Sequence, residues 1–248
     1  MQTEQDKTKS FLKGLSDAHR EDIKRNLENI EPYPGHENYR ISELSRAVMA
    51  EQVSEKMKEI FDIMKLDYRN DPNLKDTPMR ISSMWVNELM IGRYQNKPRM
   101  ESFPLQFGGD GGILIDDTPL EPGMMITKKV DIRSLCSHHF MPFFNNEDGY
   151  GLIAYMPTDK LLGISKLQRL VNWYGARPQL QEQLTYQIYK EVCDTIGTND
   201  VLVIMENIEH TCESLRGVES VCGRTNTVQY GGAFNDAALR REVILGSK

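Results

Sequence analysis

Long apolar runs are missing from this chain: no stretch approaches the roughly 20 apolar residues needed to cross a bilayer, and the mean hydropathy is −0.52. The N-terminus, MQTEQDKTKSFLKG, has no apolar core of the kind a secretory signal needs. Excess positive charge is also absent, since 30 Lys and Arg stand against 36 Asp and Glu for a net charge of −6. A surface that grips nucleic acid throughout is therefore excluded, although a local basic cluster can still hold a polyanionic small ligand. There is no glycine-rich Walker loop, no internal repeat and no low-complexity tract. Cysteine is scarce, with four residues in 248. A chain this long without an export signal needs no disulfide staples, so reduced thiols, metal ligands or buried small hydrophobes are the expected roles. A cytoplasmic location follows as an expectation, with no membrane partner.

Ordinary proportions of apolar (39%) and charged (27%) residues suffice for a real core. Residues 1–40 read as a polar appendage and linker, with one short amphipathic helix around Ile23, Leu27 and Ile30. A helical region follows over 41–94. Met49, Val53, Met57, Ile60 and Met64 form one stripe, and a second helix starts at Asp76 or Thr77 with Pro78 in its first turn. Residues 95–123 read as an irregular connection rich in Pro and Gly. Over 95–248 the pattern changes to strand, strand, two helices, strand, strand, which predicts an α+β domain with an antiparallel sheet.

Two short loops concentrate the chemistry. CSHH at 136–139 and HTC at 210–212 hold three of the five histidines and two of the four cysteines. A C-x-x-H turn lets one loop offer two ligands to a tetrahedral zinc, and the second loop supplies the rest. Cys136, His139 and Cys212 can make a three-ligand set with His138 and His210 left beside it for proton transfer. A closed structural site with His138 or His210 as fourth ligand is the competing reading. In LLGISKLQR, Ser165, Lys166 and Arg169 stand at a helix start suited to an anion, and Arg216 follows Cys212 by four residues. An ordinary solvated face explains those cations equally well on spacing alone. Gln181 and Glu182 point away from the apolar stripe of their helix; a solvated glutamate is the default reading there, although its carboxylate can accept two hydrogen bonds from a guanine edge.

DTPMRISSMW, CSHHFMPFF, IAYMP, LLGISKLQRLV, ARPQLQEQLT, the HTC…RG loop and YGGAF, in this order, resemble the GTP cyclohydrolase I family over about four fifths of the chain. The resemblance implies a tunnelling fold (T-fold), a four-stranded antiparallel sheet with two antiparallel helices, preceded by N-terminal helices. It implies one zinc per subunit on Cys136, His139 and Cys212, with His138, His210 and Ser165 catalytic. It further implies that Arg80, Lys166, Arg169 and Arg216 hold triphosphate and ribose. Gln181 and Glu182 would read guanine, and the backbone of Leu162, Gly163 and Ile164 would line the base pocket. The implied reaction opens GTP at C8, releases formate and yields 7,8-dihydroneopterin 3'-triphosphate. The implied assembly is two stacked rings of five with active sites between subunits. Ser137 stands where the family usually has Glu, Ser83 and Ser214 replace lysines of some relatives, and NNEDGYG at 145–151 is longer than the usual hairpin. Ser137 keeps open a catalytically silent relative that binds a purine nucleotide, and an enzyme of the same fold that stops at an intermediate or prefers another purine nucleotide is a second alternative.

Overall fold

The computed structural model describes residues 3–104, 124–158 and 160–247, so most of the expected irregular connection lies outside the described residues. The chain divides into two units, Met1–Asn96 and Lys97–Lys248.

The N-terminal unit is helical: α1 Glu4–Lys13, α2 Asp17–Glu28, α3 Glu43–Ile63 and α4 Thr77–Met84. A π-helical turn, Trp85–Leu89, and a 3-10 turn, Ile91–Arg93, extend α4. Two helices thus form within the first forty residues, where the sequence pattern suggested one. The additional helix, α1, has little apolar periodicity and is started by a capping box in which Thr3 and Asp6 bond reciprocally. Leu12 of α1 and Ile23 of α2 pack with Ala47 and Val48 of α3. The buried face of α3 is Ala47, Ala50, Ser54, Met57 and Phe61, while Ile60 and Met64, placed in the stripe by their spacing, are 44% and 62% exposed. Small residues let α3 lie close to its neighbours, and the larger methionine stripe turns partly outward.

The C-terminal unit contains β1 Ser102–Pro104, β2 Ile126–Val130, β3 Arg133–Cys136, β4 Pro142–Tyr155, β5 Lys160–Leu162, α5 Ile164–Gly175, β6 Pro178–Gln179 and α6 Gln181–Ile196. Next come β7 Val201–His210, α7 Thr211–Ser214, β8 Thr225–Tyr230, a 3-10 turn Gly232–Asn235 and α8 Ala237–Gly246. The long strand β4 pairs antiparallel with β3 at one end, β2 at the other and β7 along its length; β8 then pairs with β7. β6 joins β3 in parallel. The expected four-stranded sheet is therefore a sheet of six described strands. The edge opposite β8 is interrupted between β2 and β3, where Ile132 N–H bonds the Asn145 side chain at 2.5 Å, and two residues of β6 extend it. β1 and β5 form a separate small ribbon.

Both faces of this sheet are covered, which explains the unbroken apolar run in β4 and β7. Ile153, Tyr155, Val201, Val203 and Met205 face α5 and α6. Leu152, Ala154, Leu202 and Ile204 pack with Phe234 and Val243 on the other side. Gly197 at φ 79° ends α6 in the left-handed region, a conformation that favours glycine. At Gly175 the end of α5 approaches β3 so closely that a Cβ would lie 2.3 Å from the Arg133 carbonyl oxygen.

Candidate functional site

β3 ends at Cys136, and the chain turns at once: Phe140 N–H bonds the Cys136 carbonyl at 2.9 Å and Cys136 N–H bonds the Met141 carbonyl at 2.8 Å. Phe140 takes φ 52°, uncommon for an aromatic residue, and the turn presents His138 and His139 to the exterior. β4 begins directly after it, and antiparallel pairing sets Phe143 opposite His210 at the end of β7. The short helix α7 follows His210 and carries Cys212. Sheet register thus brings together two loops more than seventy residues apart in sequence.

Ligand atoms of Cys136, His139 and Cys212 all lie within 4.8 Å of one another, and Cys136 Sγ is 4.0 Å from His139 Nδ1. A tetrahedral zinc with Zn–S near 2.3 Å and Zn–N near 2.0 Å separates such ligands by roughly 3.5–3.8 Å. Two sulfurs and one imidazole at these distances fit that ion with one position left open. Burial, and then the neighbouring Cys136 thiol, push the Cys212 thiol above its ordinary range. A bound cation reverses that preference by favouring the thiolate.

His210 stands apart from the triad. Its ring stacks on Phe143 with centroids 4.8 Å apart and planes 14° from parallel, and its Nε2 is 2.7 Å from Gln181 Oε1. The Gln181 amide nitrogen donates to Thr227 Oγ1 at 2.9 Å and to the Thr225 carbonyl at 3.3 Å. With the amide so oriented, its oxygen accepts, Nε2 of the imidazole donates, and Nδ1 keeps the lone pair in the neutral ring. Burial holds the His210 pKa below the usual imidazole range, against smaller upward pushes from Glu182 and Glu213.

A cavity of about 250 Å³ collects Cys136, His138, His139, Gln181, Glu182, His210 and Cys212. Gln181 is 2% exposed. It reaches toward β8 because α6 begins against that strand, whereas helical spacing left it on the outer face. Arg216 is exposed beside the cavity, with Nη1 3.4 Å from the Cys212 carbonyl. The other expected contacts lie elsewhere. Leu162, Gly163, Ile164 and Ser165 line a separate open cavity of about 1120 Å³ that contains none of the Cys and His residues. Lys166 pairs with Glu101 at 3.1 Å, and Arg169 is exposed on α5. Arg80 is exposed on α4 of the N-terminal unit. Sequence reasoning missed Phe143, which supports the His210 ring, and Thr227, which orients Gln181. The alternating threonines of RTNTVQY were the available signal for Thr227.

A largely antiparallel sheet backed by a helix pair, with a Cys–His–Cys group and a braced imidazole in one cavity, makes the C-terminal unit an α+β structure with a candidate metal centre. The family model described as GTP cyclohydrolase I matches residues 53–247. A protein named GTP cyclohydrolase 1 from Yersinia enterocolitica is 31% identical over 83% of this chain and 86% of its own length. Its namesake from Tolumonas auensis is 33% identical over 82% of this chain and 87% of its own; one from Pectobacterium carotovorum is 32% identical over 82% and 84%. The chain belongs to the GTP cyclohydrolase I family. Among the described residues, no helix is long and apolar enough to cross a membrane.

Proposed function

We propose that this protein hydrolyses GTP at C8, releases that carbon as formate and rearranges the remainder to 7,8-dihydroneopterin 3'-triphosphate. The observation that carries the reading is the juxtaposition of Cys136, His139 and Cys212 with His210 beside them in one cavity. The triad would hold one zinc ion. When bound, the ion supplies Lewis acidity that makes water a nucleophile near neutral pH. His210, held by Gln181 and Phe143, keeps Nδ1 free to take up a proton and return it to the base as its five-membered ring opens. His138, exposed at the rim, serves opening of the ribose, and Ser165 the sugar rearrangement. Glu182 is exposed at the start of α6 and suited to accept from a guanine edge, with Gln181 beneath it. Arg80, Lys166, Arg169 and Arg216 offer cations for the triphosphate and ribose.

The base-pocket backbone and the Cys–His group occupy different cavities of one chain, so we read the working site as shared between copies, within a decamer of two pentamers. Two tests separate these parts. Zinc-loaded protein incubated with GTP should yield neopterin fluorescence after oxidation; bound nucleotide without product would select the silent alternative. Cys136→Ser and Lys166→Ala chains, each of low activity alone, should regain activity when their subunits exchange, with about a quarter of sites intact after random mixing. No gain on mixing would place both groups within one chain's site.

A further inference from the structure

Cys212 sits on α7, which is four residues long, too short to hold its own shape in water. Its placement must come from the groups around it. On one side Thr211 Oγ1 donates to the Pro142 carbonyl at 2.6 Å. On the other stands Glu209, whose side chain is 22% exposed. Its Oε1 accepts from Ser214 Oγ, at the far end of α7, at 3.2 Å. Its Oε2 accepts from Asn146 Nδ2 at 3.3 Å and pairs with Arg224 Nη2 at 3.2 Å. Asn146 belongs to the irregular stretch of β4, where the register to β7 shifts between Asn145 and Tyr150. Arg224 precedes β8 and donates to the carbonyls of Val221 and Gly223 at 3.1 and 2.7 Å. One carboxylate therefore ties the ligand-bearing turn to β4 and to the loop entering β8.

Glu209 and His210 are consecutive on β7, so their side chains leave opposite faces of the strand. His210 enters the cavity, and Glu209 works from behind it. An isolated pair of this exposure contributes little. The hydrogen bond to Ser214 is different, because it constrains the turn that carries a ligand.

We infer that Glu209 is a positioning residue for the metal centre, fixing α7 so that Cys212 Sγ stays within reach of Cys136 and His139. The role rests on the metal reading of that triad. It is tested by zinc affinity, measured in competition with a chromophoric chelator, and by the thiolate-to-metal absorption of the cobalt(II)-substituted protein. Glu209→Ala should weaken zinc by roughly tenfold, the lower end of the roughly 10–100-fold effect of outer-shell partners, and should shift the cobalt band. Glu209→Gln keeps an acceptor for Ser214 and should stay near the parent value. Ser214→Ala removes only the bond to α7, should move affinity and band in the same direction, and carries the test if Glu209→Ala does not fold. Folded Glu209→Ala and Ser214→Ala proteins with parental affinity and spectrum would overturn the role alone. An unsubstituted chain that binds no zinc would overturn the metal reading and the role together.

Discussion

Cys136→Ser is expected to remove both zinc and turnover. Cys136 is 6% exposed at the end of β3, with Gln179 of β6 as its register partner. A hydroxyl there is a poor zinc ligand, and only one thiolate and one imidazole remain. Loss of a direct ligand should exceed the roughly 10–100-fold cost of an outer-shell change, leaving the purified variant with little metal after dialysis. Its melting temperature, compared with that of the metal-free parent, should fall only by the cost of a hydroxyl where a buried thiol stood. Metal content by atomic absorption and formate release from GTP check both halves. A variant that retains stoichiometric zinc would remove Cys136 from the ligand set.

His210→Ala should separate the two properties. Zinc content should match the parent, whereas turnover should fall by about 10²–10⁴-fold, the range of a lost general acid–base. The distinction follows from geometry: Nε2 of His210 is committed to Gln181, and its ring stacks on Phe143. Truncation leaves the Gln181 carbonyl oxygen buried without its donor, at a cost of about 1–3 kcal/mol, so the melting temperature should fall as well. The measurement pairs zinc content with single-turnover formate release. Zinc lost together with activity would make His210 a fourth ligand and the centre a closed structural site.

The C-x-x-H spacing and the HTC loop were enough to nominate the residues that the sheet brings together, because metal ligands need particular side chains at short range. The order strand, strand, two helices, strand, strand over 95–248 was legible in the same way. Other features depend on distant partners and leave little local trace. The first half of β4 reads as a turn in sequence, with Pro142, two asparagines and Gly149. It forms a strand because β3 and β7 flank it and bulges absorb the extra residues. Gln181 reads as an outward polar position, yet β8 and His210 bury it. On α3 the helix was legible and Met57 of the stripe is buried, but Ala47, Ala50 and Ser54 share that inward face while Ile60 and Met64 turn outward. The resemblance supplied the candidate phosphate and base contacts. The placing of Leu162, Gly163 and Ile164 in one cavity and of Gln181 and Glu182 in another is a property of the folded chain.

Hydrolysis at C8 can be read from the carbon that must leave. Zinc-loaded protein is incubated with GTP enriched in ¹³C at C8, and the reaction is observed by carbon NMR. The purine C8 resonance should disappear and a formate resonance should grow in equal amount, in parallel with neopterin fluorescence after oxidation. A folded, zinc-loaded protein that leaves the C8 resonance unchanged would contradict that hydrolysis.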